Sequence, residues 1–516
     1  MTITWLWAFY FTVKLWLHLT GAIRIHFWLN LGLLALAMPL SPKQGHGDPW
    51  LRRGRHACVA VLGAALFWYD SYLPPFLYAV QFAMKNTGVL TSGFMNEFAK
   101  NFFNGGHALA FFAVLALYLL AAKKGLHPTA MIFLALLIVP VQTLREPGDE
   151  AGRAAARFYR SEQGRRVHLP DVSKSPPFDI IFVHICSLSW DDLDAVAQPR
   201  PRLLQGANVI FTNFNSATSY STPAALRLLR APCGQVSHKE LYDPWPPACG
   251  VLGRLRAAGF RTYAAFNVDP RYFGMAQDLQ KMAGLDVPIS VEGLPRQMLS
   301  FDDQPVFENG PVLERWRRLR ESDASPRAAL FFNTISLHGG GHEDKPRWWK
   351  DPPGSLYVKA LDGLGADVEA LERAIAASGR SAVVVIIPEH GRALRGSVVQ
   401  AAGLRDIPLA RITRVPAAVR LVGPLFAKAP AGLEVSGQTS YLALAQLLSD
   451  LMADPSSASG PGKLERELDQ LPTTSFMAET EKWKVFQFAD RSYVFGKDDA
   501  WRPLPVEAPA PEIVSK

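Results

Sequence analysis

Two kinds of hydrophobic patterning divide the chain. Over the first third, apolar residues run almost unbroken through 5–20, 25–40, 57–73, 108–122 and 128–144. Each run has about 15 to 18 residues, at or just below the length that crosses a bilayer core as a helix. Their succession, with hardly an acid among them, predicts about five transmembrane helices within a membrane domain, 1–144. No basic segment precedes the first run and further runs follow it, which argues against a cleaved signal peptide. From Phe178 onward the pattern changes to short β-branched runs, at 178–185, 207–211, 262–266, 328–335, 382–387 and 417–422, which read as strands. Helical periodicity falls between them, at 223–230, 248–258, 312–320, 356–377 and 440–452. Strand alternating with helix predicts an α/β domain with a mostly parallel central sheet over 178–516. The polar, Arg- and Ser-rich stretch 145–177 reads as a linker, and 455–462 as a second one. A terminal hairpin is expected at 484–488 and 492–495, followed by a disordered last dozen residues.

Charge sharpens this division. The 516-residue chain carries 54 basic and 46 acidic residues, a formal net charge of +8. Ten basic residues and three acids lie before Arg145, so the excess sits almost wholly in the apolar part. That is the signature of membrane topology, and no nucleic-acid partner is expected. With the N-terminus inside, the loops carrying Lys43, Arg52, Arg53 and Arg55 and then Lys123 and Lys124 are cytoplasmic. The 72–106 connection and everything after Leu144 then lie outside. Lys14, inside the first apolar run, either marks a functional site or, as is commoner for such a lysine, snorkels to the interface or faces a neighbouring helix.

In open α/β sheets, ligands bind beyond the carboxyl ends of the strands, and here those ends are rich in chemistry. The first strand runs into Cys186-Ser187-Leu188-Ser189, and the second leads to Ser219-Tyr220-Ser221-Thr222-Pro223. The fourth leads to His338-Gly339-Gly340-Gly341-His342, and the fifth to Pro388-Glu389-His390-Gly391. Ser221 is the candidate nucleophile. Thr222 is expected as N-cap and Pro223 as first helical residue, which places the Ser221 hydroxyl at a helix N-terminus, where free N–H groups favour a phosphate. Glu389-His390 after a buried strand offers oxygen and nitrogen donors suited to Zn²⁺ or Mn²⁺. Cys186 is a small buried hydrophobe or a third ligand, and His338 and His342 are loop histidines able to approach an anion. Cys58 falls in an apolar run. Cys233 and Cys249 bracket a Pro-rich loop in a domain placed outside the cytoplasm, where a disulfide between them is expected.

Together these segments resemble the alkaline phosphatase superfamily, in its membrane-anchored branch of phosphoethanolamine and glycerophosphate transferases. Within that branch they are most similar to the bacterial cellulose phosphoethanolamine transferases. The resemblance is carried by Ile185 to Trp190, Phe214 to Ser221, Leu226 to Ala231 with Cys233-Gly234-Gln235, and Pro388 to Gly391. Gly403 to Pro408 and Phe67-Trp68-Tyr69-Asp70 also carry it. It implies an alkaline-phosphatase-like fold, Zn²⁺ held by Cys186, Ser221, Glu389 and His390, and Ser221 as nucleophile. Tyr220, His338, His342 and Arg405 would line the donor or acceptor site, with either histidine as acid/base. The implied reaction moves phosphoethanolamine from phosphatidylethanolamine to glucose 6-hydroxyls of nascent cellulose, in the periplasm and beside an inner-membrane cellulose synthase complex. Two alternatives stand beside it: transfer to lipid A or another envelope glycan, and a non-catalytic scaffold subunit of the synthase.

Overall fold

The computed structural model describes residues 5–19, 23, 25–38, 49–71, 115–116, 120, 123, 136, 148–172, 175–300, 303–339, 355–400, 402–460, 462–496 and 499–505. The chain divides into two compact units, the first built mainly from residues 1–148 and the second mainly from 149–395 and 405–501.

In the first unit, three helices follow the first three apolar runs: Trp5–Leu19, Phe27–Ala37 and Pro49–Asp70. They share a core of Trp7, Phe11, Leu15, Leu33, Leu34 and Val59. Among the described residues no helix is long and apolar enough to cross a membrane. The second has only 11 residues, about 16 Å of rise, and the third opens with Arg52, Arg53 and Arg55. The expected runs 108–122 and 128–144 lie almost wholly outside the described residues. Lys14 does not snorkel. It is fully buried, donating to Tyr10 Oη at 3.3 Å, Asn30 Oδ1 at 2.7 Å and Asp70 Oδ2 at 2.5 Å.

The second unit is built on a seven-stranded sheet: β1 (Asp179–Cys186), β2 (Val209–Asn215), β3 (Phe260–Phe266), β4 (Arg327–Thr334), β5 (Ala382–His390), β6 (Arg414–Val422) and β7 (Leu433–Val435), in the order β3-β4-β1-β5-β6-β2-β7. Every pairing is parallel except those of β6, which runs antiparallel to both β5 and β2. The sheet is therefore mostly parallel, as expected, with one reversed strand. Both of its faces are covered. Ile180 and Phe182 of β1 join Val383, Val385 and Ile387 of β5 on one face, against Leu252, Leu255, Leu279 and Leu444. Ile181, Val183 and Ile185 join Val384 and Ile386 on the other, against Leu313, Trp316, Leu361 and Val368. Alternate residues of one strand thus feed two cores, which is why β1 and β5 read as mainly apolar runs, with Asp179 and His184 as the polar positions of β1 and Glu389-His390 closing β5.

The two expected linkers are structured instead. Within 145–177 the chain forms a helix, Gly148–Gln163, whose Ala154, Ala155 and Phe158 pack on Met477 and Phe486 of the C-terminal strands. Within 455–462, the 3₁₀ turn Pro455–Ser459 buries Pro455, Ser457 and Ala458. The terminal hairpin is present as Lys484–Phe488 and Arg491–Phe495, joined by Met477–Glu479 as a further strand. Residues 506–516 lie outside the described set. Cys233 and Cys249 form the expected disulfide, while Cys58 and Cys186 are free.

Candidate metal centre and active site

β1 and β5 are adjacent and parallel, so their carboxyl ends deliver Cys186 and Glu389-His390 to one place. Neighbouring residues on a strand normally point to opposite faces, which would send Glu389 and His390 apart. The pairing prevents this. Ile185 faces Pro388, but Cys186 faces His390, so the register slips by one residue and Glu389 is the extra one. Such a bulge re-aims a side chain. One donor atom from each of Cys186, Glu389 and His390 then lies within 4.8 Å of the others, and all three residues are buried.

Ser221 joins them, its Oγ 3.6 Å from Cys186 Sγ. Its helix, Ser221–Leu229, begins two residues earlier than expected: Tyr220 occupies the N-cap position, and Thr222 and Pro223 follow within the first turn. Proline is tolerated there because the N–H groups of a first turn have no intrahelical acceptor to lose. The hydroxyl still sits at a helix N-terminus. The turn before it is tied to the chain at 405–406, with Ser219 Oγ donating to Arg405 O at 2.5 Å and Tyr220 Oη to Asp406 Oδ1 at 2.9 Å.

The electrostatics of the cluster favour a cation. Burial, then the Glu389 carboxylate, push the Cys186 thiol up to about 12, against Arg405, Ser187 and Ser221. A thiolate there needs a positive partner. Burial also pushes the Glu389 carboxyl up, but His184, His390 and Ser221 outweigh it and hold it at about 2. Its Oε2, buried 3.7 Å from His390 Nε2, has no hydrogen-bond partner. His390 is brought down to about 3, first by burial and then by Arg405, so its ring is neutral. Nδ1 lies 2.8 Å from the Gly391 carbonyl and 3.3 Å from Arg405 Nη1; the shorter contact, to an acceptor, favours the proton on Nδ1 and an Nε2 lone pair towards Cys186. A thiol, an unpartnered carboxylate oxygen and an oriented imidazole lone pair beside a hydroxyl form a donor set that fits Zn²⁺.

Arg405 reaches this cluster from its own loop. Its Nη1 lies 3.2 Å from Ser187 Oγ and its Nη2 3.4 Å from His338 Nε2. His338 is held like His390: burial and then Arg405 bring it down to about 3, and Nδ1 contacts Gly339 O at 2.7 Å. It rests as a neutral acceptor. His342 lies outside the described residues. The structure thus brings together Cys186, Ser221, Glu389, His390, Arg405 and His338, with Tyr220 on the same turn as Ser221 and 39 % exposed.

The loops behind the ligands are clamped. Ser189 and Asp192 form a capping box at the helix Trp190–Ala195. Asp192 also accepts from the N–H groups of Arg392 at 2.6 Å and Leu394 at 3.1 Å, which fixes the chain leaving His390. Gly391 passes so close that a Cβ on it would meet the Ser189 hydroxyl and lie 2.7 Å from Asp192 Oδ2. Sequence reasoning missed two further residues, His184 on β1 and Asn333 on β4, which contact Glu389 from inside the sheet. Their only sequence signal is a polar residue within an otherwise apolar strand.

Comparison with known proteins gives the chain its relatives. The profile for the cellulose biosynthesis protein BcsG N-terminal domain matches residues 7–141, and that for the BcsG C-terminal domain matches residues 141–501. The cellulose biosynthesis protein BcsG of Escherichia coli K12 is 31% identical, over 97% of this chain and 96% of its own length. That of Salmonella typhimurium LT2 is 30% identical over the same shares. A solved protein of the alkaline phosphatase superfamily from Vibrio parahaemolyticus overlays with a TM-score of 0.45 at 12% identity, covering 68% of this chain and 90% of that one. On the two profiles and the two full-length relatives, the chain belongs to the BcsG family of cellulose biosynthesis proteins.

Proposed function

We propose that this chain is a zinc-dependent phosphoethanolamine transferase that moves phosphoethanolamine from phosphatidylethanolamine to glucose 6-hydroxyls of nascent cellulose. The observation that carries the reading is the convergence of Cys186, Glu389 and His390 on the Ser221 hydroxyl at a helix N-terminus. A non-catalytic scaffold has no use for such a set, and family membership supplies the cellulose context. Residues 1–144 act as a membrane domain of about five helices that keeps residues 178–516, in the periplasm, beside the lipid donor and the cellulose synthase complex.

Cys186, Glu389, His390 and Ser221 would hold the metal. Zn²⁺ there supplies Lewis-acid charge that lowers the hydroxyl pKa and stabilises charge on phosphate oxygens. Ser221 Oγ attacks phosphorus, the bond to the diacylglycerol oxygen breaks, and the proton given up by the serine hydroxyl ends on that oxygen. Diacylglycerol leaves, and phosphoethanolamine stays on Ser221. The free N–H groups of the first helical turn and the Arg405 guanidinium bind the phosphate oxygens. A sugar hydroxyl then attacks phosphorus and Ser221 Oγ leaves. His338 or His342, as the acid/base, takes the proton of the sugar hydroxyl and returns it to Ser221 Oγ. Tyr220, at the exposed lip, contacts donor or acceptor.

Mass spectrometry of the exopolysaccharide from cells with and without the protein tests the reading: phosphoethanolamine on glucose should appear only with it. Modification of lipid A in its place would reassign the acceptor, and loss of neither would leave a scaffold. Reporter fusions after residue 170 test the placement, since an active alkaline phosphatase and a dark green fluorescent protein are expected outside the cytoplasm.

A further inference from the structure

Glu389 enters the site from a strand, and its carboxylate has two oxygens with unlike surroundings. Oε2 has no hydrogen-bond partner. Oε1 is gripped from behind: Asn333 Nδ2 donates to it at 2.5 Å, and His184 Nδ1 lies 3.1 Å away. We propose that His184 and Asn333 are positioning residues that lock the Glu389 carboxylate by one oxygen, so that only Oε2 is offered to the metal. The proposal rests on the metal reading of the site given above.

Three observations carry it. The first is register: His184 on β1 is paired with Asn333 on β4, so the two side chains sit side by side on one face of the sheet. The second is burial, with His184, Asn333 and Glu389 each at most 1 % exposed, so no water competes for Oε1. The third is the pattern of donors. His184 Nδ1 lies 3.1 Å from the carboxylate oxygen and 2.9 Å from Asn333 Nδ2, and it donates to the carboxylate in the tautomer that carries the proton on Nδ1. That tautomer leaves His184 Nε2 as an acceptor, and that atom has no partner. Asn333 Nδ2 spends one hydrogen on Oε1 and lies 2.9 Å from His184 Nδ1 and 3.4 Å from His184 O, so it ties the imidazole and the carboxylate together. Phe331, its ring centroid 5.4 Å from that of His184, packs against the imidazole and limits its swing.

The terminal torsion of a glutamate is broad and roughly two-fold. An unrestrained carboxylate could present either oxygen or both. Two donors on Oε1 remove that freedom, and groups that orient a metal ligand typically change metal affinity by about 10- to 100-fold.

The test uses the purified full-length chain in detergent, with zinc affinity measured by competition against a chromophoric chelator. The same proteins are loaded with Co²⁺ to read ligand geometry in the visible spectrum. His184→Phe and Asn333→Leu should each weaken zinc binding by about 10- to 100-fold. They should alter the d–d bands while the Cys186 thiolate-to-cobalt charge-transfer band persists. His184→Gln, which keeps a donor, should recover most of the affinity. A general collapse of the site would instead remove the thiolate band as well, and overturns the proposal. If His184→Phe fails to fold, the contrast between Asn333→Leu and His184→Gln decides the question. Wild-type affinity and spectrum in the folded donor-less variants overturn the positioning role. A wild type that binds neither zinc nor cobalt overturns the metal reading on which it rests.

Discussion

Lys14 and Glu389 are both charged side chains withdrawn completely from solvent, one in each unit, and their surroundings differ in kind. Around Lys14 the bonding is closed. Its three N–H groups meet Tyr10, Asn30 and Asp70, and both oxygens of Asp70 are used, Oδ1 by His26 and Oδ2 by Lys14 and Asn30. Around Glu389 the bonding is half made, with Oε1 occupied and Oε2 bare, beside a thiol and an imidazole lone pair. A buried polar group left unpaired costs about 1–3 kcal/mol, and more when charged. A closed cluster recovers that cost within the fold and fixes how helices meet. An open one holds it in reserve for something that arrives later.

The contrast can be broken by mutation, and the largest effect belongs to the open cluster. Ser221→Ala should lower transfer by about 10⁴-fold or more, because the two-step route runs through the hydroxyl at the helix N-terminus, a place the neighbouring Ser187 does not occupy. It should leave the thermal midpoint nearly unchanged, since such substitutions cost within about 0.5 kcal/mol. Acid quenching of wild type with a phosphoethanolamine donor should trap an adduct on the Ser221 peptide, and full transfer by the alanine variant would mean direct attack by the sugar. Glu389→Ala or His390→Ala should abolish a stoichiometry of about one zinc per chain, read by elemental analysis, with little loss of stability in the metal-free protein.

The closed cluster should answer in the opposite way. Lys14→Met alone strands the Asp70 carboxylate and should cost about 3–5 kcal/mol, measured as unfolding in detergent. The pair Lys14→Met with Asp70→Leu should recover most of that loss. If the single change costs nothing while transfer fails, Lys14 belongs to function and the contrast is wrong. The smallest effect should come from the disulfide. Replacing Cys233 and Cys249 by serine should cost about 3 kcal/mol, and non-reducing peptide mapping should find that pair with Cys186 unbridged.

Much of the sheet was legible in the sequence because strands covered on both faces must be largely apolar, as 382–387 is throughout and 178–185 is apart from Asp179 and His184. The candidate ligands Cys186, Glu389 and His390 could be picked out because they stand where those runs stop. Strand direction was not, since β6 reads alike in either sense. The bulge that turns Glu389 towards His390 is a property of pairing and leaves no local mark. The helix Gly148–Gln163 did leave one: Ala151, Ala154, Ala155 and Phe158 follow helical spacing, hidden by a polar and Arg-rich background. His184 and Asn333 were missed because a buried polar residue in a strand shows its purpose only when the neighbouring strand is known.

Gly391 gives the metal centre a weakness that no count of ligands would reveal. Its backbone runs against Ser189 and Asp192 with no room for a side chain, one residue beyond His390. A natural variant carrying alanine or serine there would keep Cys186, Ser221, Glu389 and His390 and still displace the strand end that presents two of them. In a survey of strains, such a lineage would pass as competent by its motif and, on the function proposed above, make unmodified polysaccharide.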